Sequence, residues 1–171
     1  MREINKKRPA SVILLIFLHV FLALGAIYGG LAFIISPTGE DNYLDLPVSY
    51  LENNIFSNFL IPGILLITVL GVFPLLIAYY LFSKRPSKFG ESLNIFKDKY
   101  WPWGFSLYIG FALIIWITVQ VYLLQVVVGL HLFYMAYGLL LLIATLWPNV
   151  QRHYSIPLRI ASQGKKNSKK L

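Results

Sequence analysis

The sequence predicts an all-α polytopic membrane protein, a four-transmembrane-helix bundle made of two antiparallel hairpins, with the N and C termini in the cytoplasm. Three observations predict this fold. Only 13% of the 171 residues are charged, about half the share found in soluble domains. The charges are confined to segments that separate long apolar runs. The stretch 101–147 contains no Lys, Arg, Asp or Glu, and it is too long for one membrane crossing but sufficient for two.

Four apolar runs are long enough to span a bilayer, and they lie at about 11–35, 59–82, 103–124 and 130–147. Residues 1–155 are predicted to form a single membrane domain, and residues 156–171 a basic, flexible tail. The first run exceeds the apolar segment of a signal peptide and no A-x-A cleavage pattern follows it, so it is interpreted as a span. In the second span, Pro74 cannot donate to the Leu70 carbonyl, and a kink is expected there.

The distribution of charge predicts the topology. All 15 Lys and Arg residues lie in the N-terminal segment, the 83–100 loop and the C-terminal tail. None lies in the 36–58 loop or between the third and fourth spans. Because cytoplasmic segments carry the excess of Lys and Arg, both termini are predicted to be cytoplasmic, with the chain crossing the cell membrane several times. The net charge of +8 is therefore assigned to contact with anionic lipid headgroups and not to nucleic acid.

One group of polar residues is predicted near the outer end of the third and fourth spans. Its members are Trp116, Gln120, Gln125, His131 and Tyr134. Polar side chains within a span are costly and often functional, so this group is a candidate polar pocket. The alternative is that the amides and the imidazole satisfy loose backbone groups of the hairpin or meet interfacial water.

The first span carries two further features. His19 is expected to donate a hydrogen bond to a carbonyl or a tyrosine of a neighbouring helix. A role in proton relay is the alternative, although no Asp or Glu lies at its depth. Gly25, Gly29 and Gly30 belong to overlapping small-xxx-small patterns, which let helices approach closely. That approach could occur within the bundle or in a homodimer.

Several classes of function are excluded by what the sequence lacks. There is no cysteine, which excludes disulfides, thiol chemistry and Cys-ligated metals. No span contains the carboxylate on which small four-span multidrug exporters depend, and the two histidines within spans cannot form the facing pairs of a four-helix haem protein. No zinc, nucleotide-binding or nucleophile motif is present. We therefore predict no catalytic residue, no metal and no cofactor.

Three segments have a recognisable pattern, namely 57–63 (SNFLIPG), 114–120 (IIWITVQ) and the closing Leu146-Trp147-Pro148 with Arg152 and Tyr154. In these segments the chain resembles small, uncharacterised prokaryotic four-span membrane proteins. The resemblance covers about residues 10–155. It implies the same fold, a location in a prokaryotic plasma membrane, and importance for 57–63 and 114–120. It implies no activity or catalytic residue.

The first functional hypothesis is a non-enzymatic membrane protein that acts as a structural or accessory subunit or binds lipid. The alternative is a carrier or channel subunit for a small neutral solute, with the polar pocket as its binding site. A membrane enzyme acting on a lipid ranks third, because the histidines lack acidic partners. Besides the bilayer, the expected partners are a second copy of the chain or another membrane protein.

Overall fold

The computed structural model of the protein describes residues 8–38 and 56–156. Helices account for 79% of the described residues and none of those residues lies in a strand, so the all-α prediction is confirmed. The predicted flexible tail beyond residue 156 and most of the acidic 36–58 loop lie outside the described residues. In chain order the helices are α1 (Ala10–Ile35), α2 (Leu60–Leu65), α3 (Phe73–Ser83), α4 (Lys88–Leu93), α5 (Trp101–Leu124), α6 (Gly129–Leu146) and α7 (Pro148–His153).

Within residues 8–38 and 56–156, four helices are long and apolar enough to cross a membrane. They are α1 (span 1), Leu60–Ser83 (span 2), α5 (span 3) and α6 (span 4). Span 2 consists of α2 and α3, joined by the π-helical segment Leu66–Val72. Large apolar side chains on the outward faces of the spans are exposed, among them Phe17, Ile64, Ile115 and Leu132. An apolar outer surface of this kind suits contact with lipid rather than water.

Each span packs against two others. Span 1 contacts all three parts of span 2 and also contacts span 4. Span 3 contacts span 4, and its main contacts with span 2 come from the π-helical segment and α3. The pair formed by spans 1 and 2 therefore meets the pair formed by spans 3 and 4 mainly over one part of the bundle, away from α2.

At one end of the bundle, which we call the terminal end, hydrogen bonds join several segments of the chain. The Arg8 guanidinium donates to the Phe82 carbonyl at 2.8 Å, and the Tyr154 hydroxyl donates to the Leu81 carbonyl at 2.9 Å. The Tyr100 N–H donates to the Tyr154 carbonyl at 2.8 Å. These bonds hold the segments before span 1, before span 3 and after α7 against the last turn of span 2. At the opposite end, which we call the loop end, there is a small separate apolar cluster of Phe33, Phe59 and Leu124.

Two pairs of glycines let backbones touch within the bundle. A Cβ atom on Gly30 would lie 2.8 Å from the Gly63 carbonyl oxygen, and one on Gly63 would lie 2.9 Å from the Gly30 carbonyl oxygen. Between spans 3 and 4, a Cβ atom on Gly138 would lie 3.4 Å from the Gly110 carbonyl oxygen. Because a side chain would separate the helices at these points, Gly30 serves close packing between spans 1 and 2.

Pro74 lies in the first turn of α3, directly after the π-helical segment. The Phe73 N–H donates to the Thr68 carbonyl, five residues earlier, as in a π-helix. Beside the proline, where a kink is expected, the structure has a seven-residue segment of π-helix, a wider turn that the sequence did not predict. Such segments frequently lie at functional sites, and two residues of this one, Leu66 and Leu70, line the cavity described next.

Candidate functional site

A cavity of about 400 Å³ lies at the loop end, between the two pairs of spans. All four spans contribute to its wall, as does the 125–128 turn between spans 3 and 4. Most of the wall is apolar and includes Leu22, Leu66, Leu70, Leu113, Ile117 and Leu124. The volume and the apolar lining are those of a small-molecule site.

Four of the five polar residues predicted from the sequence line this cavity. Trp116 and Gln120 come from span 3, and His131 and Tyr134 come from span 4. Their spacings of four and three residues place each pair on one helix face. The packing of span 3 against span 4 then brings the two pairs together on one wall.

The polar atoms of this cluster are largely free of protein partners. The side chains of Trp116, Gln120 and Tyr134 form no hydrogen bond with any other residue that the structure describes. His131 uses one nitrogen, because the Val128 N–H donates to its Nδ1 at 3.3 Å. In the neutral ring the proton then lies on Nε2. His131 therefore caps the start of α6 with one nitrogen and keeps a donor on the other.

This arrangement determines which ligand groups the cluster can recognise. The Trp116 and His131 ring N–H groups can only donate, whereas the Gln120 amide and the Tyr134 hydroxyl can donate and accept. None of the described residues that line the cavity is a Lys, Arg, Asp or Glu. A charged ligand would therefore be desolvated without a counter-charge. The cluster suits an uncharged group with acceptor oxygens, such as a carbonyl or an ester.

Gln125 differs from the prediction, because it does not line the cavity. It directly follows α5, has a left-handed backbone with φ of 52°, and is exposed. Its side chain donates to the Tyr122 carbonyl at 2.5 Å. Gln125 thus pairs with a backbone carbonyl at the end of α5, in agreement with the alternative that the amides satisfy backbone groups of the hairpin. The helical period that aligns Trp116 with Gln120 does not extend to Gln125, because the helix ends at Leu124.

Gly25 and Gly29, which were predicted as packing residues, both line the cavity. A Cβ atom on Gly25 would lie 2.6 Å from the Tyr134 hydroxyl oxygen, so the glycine makes room for that ring. A Cβ atom on Gly29 would lie 3.5 Å from Leu66, an ordinary contact. The spacing of residues 22, 25, 26, 29 and 33 places them on one face of span 1, and all five line the cavity. This pattern could have predicted the wall that span 1 contributes.

His19 lies in the core of the bundle, where it is fully buried. Its Nε2 lies 2.9 Å from the Ser106 hydroxyl oxygen, and that hydroxyl donates to the Pro102 carbonyl at 2.9 Å. Since the hydroxyl proton is already used, His19 must be the donor, with its proton on Nε2. The partner is thus a serine of span 3, and not the carbonyl or tyrosine that was expected. His19 Nδ1 has no hydrogen-bond partner among the described residues.

The cavity is closed on the side that faces the terminal end. The Tyr137 hydroxyl donates to the Leu18 carbonyl at 2.7 Å and ties span 4 to span 1. The surrounding layer of almost fully buried apolar side chains includes Leu15, Leu18, Leu22, Ile77, Ile109 and Leu141. This buried layer lies between the cavity and the terminal end.

The wall of the cavity reaches the protein surface between spans 1 and 4. Tyr28 of span 1 is 65% exposed and Leu130 of span 4 is 54% exposed, and both line the cavity. The contact between Tyr137 and Leu18 holds the same two spans together on the side toward the terminal end. Val126 and Val128 of the 125–128 turn also line the cavity and are 36% and 43% exposed. The exposed lining residues thus lie near the loop end, on spans 1 and 4 and on the turn.

No group of three or more His, Asp or Glu side chains that could hold a metal ion occurs among residues 8–38 and 56–156. The polar cluster contains one histidine and no acid, so it offers hydrogen bonds rather than a metal ligand set. No known protein family, curated protein or solved structure matches the chain. The case for a function therefore depends on the cavity and on its four polar residues.

Proposed function

We propose that the protein is a non-enzymatic membrane protein that binds an uncharged, lipid-like ligand in the cavity at its loop end. The observation that carries this proposal is the convergence of Trp116, Gln120, His131 and Tyr134, with hydrogen-bonding atoms free of protein partners, on an apolar space of about 400 Å³. An apolar pocket with a few convergent polar groups binds the apolar body of a ligand and orients its polar end. A neutral lipid with ester or ketone carbonyls combines both parts.

The proposed arrangement of the chain is two antiparallel hairpins with both termini in the cytoplasm of a prokaryotic cell. The Trp103 ring N–H donates to the Thr145 carbonyl at 2.9 Å, and Gly110 lies beside Gly138. Pairing of an early residue of span 3 with a late residue of span 4 supports an antiparallel pair. The concentration of Lys and Arg at the terminal end supports a cytoplasmic location for that end.

In this arrangement the exposed side chains of Tyr28 and Leu130 face the lipid of the outer leaflet. A ligand that is already dissolved in the bilayer would enter between spans 1 and 4 without crossing water. Apolar molecules partition strongly into the bilayer, so their effective concentration at this opening is high. The lateral route therefore favours a lipid over a water-soluble ligand.

A carrier for a small neutral solute is the second candidate, and the polar cluster favours it, since the same groups could bind such a solute. Passage would require a route from the cavity to the terminal end. That side is filled by the buried layer around Leu18, which the hydrogen bond from Tyr137 reinforces. Binding without transport agrees better with this packing. Catalysis is disfavoured because none of the described residues that line the cavity is an acid that could pair with His131.

Native mass spectrometry of the full chain in detergent tests the proposal, with dioleoylglycerol as the ligand and hexadecane as a probe without a polar group. The key variant is Gln120→Met, which removes the amide at nearly constant volume. The matched control is Gln125→Met, which changes the same residue type outside the cavity. We expect Gln120→Met to weaken dioleoylglycerol binding roughly threefold to tenfold, the value of one hydrogen bond. Gln125→Met should leave binding unchanged.

Two results would contradict the proposal. Equal weakening by Gln120→Met and Gln125→Met would mean that the ligand does not occupy the cavity. Equal binding of dioleoylglycerol and hexadecane would mean that the polar cluster contributes nothing. Uptake of a small neutral solute such as glycerol into vesicles that contain the protein, abolished by Gln120→Met, would favour the carrier instead.

A further inference from the structure

At the terminal end, far from the cavity, three basic side chains from different parts of the chain surround two aromatic rings. The Arg8 guanidinium carbon lies 4.1 Å from the centre of the Phe82 ring. Lys84 Nζ lies 5.6 Å from the centre of the Tyr154 ring, and the His153 ring lies 4.9 Å from the same ring. These residues precede span 1, follow span 2 and end α7, so only the folded bundle brings them together.

No acidic side chain in the described part of the chain balances this cluster. Among the residues that the structure describes, the one salt bridge joins Lys99 to Asp98, and neither Arg8 nor Lys84 has an acidic partner. Nε2 of His153 is buried and has no hydrogen-bond partner in the described part of the chain. Arg8 donates to the Phe82 carbonyl, but the positive charges of Arg8 and Lys84 lie together without an acidic partner among the described residues.

The positive charges of the cluster also make the protonated forms of its members less stable. Burial, and then the charges of Lys84 and Arg8, lower the pKa of His153 below its ordinary value. Burial, and then the charge of Arg8, lower the pKa of Lys84. Like charges held together without a counter-ion oppose folding, so an anion placed among them would be stabilised by all three side chains.

The position of the cluster indicates which anion it meets. It lies at the end of spans 1 and 2, where each leaves the apolar part of the bundle, and the membrane-interface residue types Tyr and Trp occur beside it at Tyr100 and Trp101. This is the depth of phospholipid phosphates, since the polar headgroup region begins where the apolar spans end. Guanidinium, ammonium and imidazolium groups are the usual donors to phosphate oxygens.

We propose that Arg8, Lys84 and His153 bind the phosphate group of an anionic phospholipid at the terminal end. The Arg8 guanidinium and the Lys84 ammonium supply charge-assisted hydrogen bonds to the phosphate oxygens. The His153 ring, whose Nε2 is buried beside them, adds a third positive charge when it is protonated. The site lies at the end of the bundle opposite the cavity, so the test of this site does not depend on the ligand proposed for the cavity.

The proposal predicts a specific pH dependence. The charged and titratable groups that face His153 are Lys84, Arg8 and Tyr154, and burial raises the pKa of Tyr154 so that its hydroxyl stays neutral. A bound phosphodiester remains anionic and favours the protonated imidazole, so the pKa of His153 must be higher in the complex than in the free protein. Affinity is therefore expected to rise as the pH falls through the range between those two values.

The test titrates the detergent-solubilised full chain with phosphatidylglycerol, and with phosphatidylcholine as the lipid without net charge. We expect Arg8→Gln and Lys84→Gln each to weaken phosphatidylglycerol binding about fivefold. Lys88→Gln is the matched control, because Lys88 is exposed and lies outside the cluster, and it should have no effect. Binding at about pH 5.5 should exceed binding at about pH 7.5 in the wild type and not in His153→Gln.

Equal weakening by Lys84→Gln and Lys88→Gln would show attraction by the general surface charge and would overturn the site. Equal affinity for phosphatidylglycerol and phosphatidylcholine would do the same. Inorganic phosphate alone distinguishes the two sources of the phosphate group. Displacement of phosphatidylglycerol by millimolar phosphate would overturn the assignment to a lipid. A thermal unfolding curve for each variant separates lost binding from lost folding.

Discussion

Two neighbouring glycines of span 1 should respond in opposite ways to the same substitution. In Gly30→Ala the new methyl group would lie 2.8 Å from the Gly63 carbonyl oxygen and 2.4 Å from an Ile67 side-chain carbon. Ordinary contacts begin near 3.4 Å, so spans 1 and 2 must separate by about half an ångström. In Gly29→Ala the nearest atom, on Leu66, lies 3.5 Å away, and nothing has to move.

The magnitudes follow from these distances. Forcing a methyl group into a close-packed contact costs about 1–3 kcal/mol. A separation of about half an ångström between spans 1 and 2 also loses roughly a quarter of the dispersion energy between the separated atoms. Replacing glycine by alanine within a helix returns up to about 1 kcal/mol. We therefore expect Gly30→Ala to lower the free energy of unfolding by about 1–2 kcal/mol. Gly29→Ala should leave it unchanged or raise it by up to about 1 kcal/mol.

The assay is reversible unfolding of the two variants in mixed micelles with increasing dodecyl sulfate, followed by circular dichroism. Because both residues lie on the same helix and undergo the same change, helix propensity and micelle effects cancel in the comparison. A difference between the variants of less than about 0.5 kcal/mol would refute the close approach of spans 1 and 2 at Gly30. A change of oligomeric state in Gly30→Ala would instead indicate that the glycines pack between two copies of the chain.

Two further pairs of variants probe the buried hydrogen bonds. Tyr137→Phe removes the hydroxyl that donates to the Leu18 carbonyl and should lower the free energy of unfolding by about 1 kcal/mol. Tyr134→Phe should weaken only dioleoylglycerol binding. Equal effects of the two variants on the free energy of unfolding would contradict the assignment of this hydrogen bond to Tyr137. Ser106→Ala leaves the His19 donor without an acceptor and should cost about 1–3 kcal/mol. Most of that loss should disappear when His19→Leu is already present, and additive effects in this double-mutant cycle would contradict the bond.

Much of the candidate site was predictable, because helical spacing alone places Trp116 beside Gln120 and His131 beside Tyr134. Gln125 could not be assigned in that way, since it lies past the last residue of α5 and its left-handed backbone turns the side chain toward Tyr122. The wall formed by Gly25 and Gly29 was also missed as part of the site. A glycine pattern predicts close approach, and it does not distinguish a helix contact from an open space.

The partner of His19 lay beyond any local pattern. Ser106 is 87 residues away in the chain, and which side chain meets the imidazole depends on how spans 1 and 3 face each other across the bundle. The unbalanced cluster of Arg8, Lys84 and His153 has the same origin. Each residue belongs to a basic segment that the charge count explains as an orientation signal, and only the packing of three chain segments brings them around the same aromatic rings.

The sequence by itself determined that the chain is helical and that four of its helices can cross a membrane. Bilayer thickness and the need to pair every backbone group act on each segment separately, so length and apolar composition are enough. The tertiary structure alone decided where the spans touch and where they separate. Close contact depends on single glycines, such as Gly30 against Gly63, and on hydrogen bonds between distant residues. The cavity at the loop end is the space that those contacts leave between the two pairs of spans.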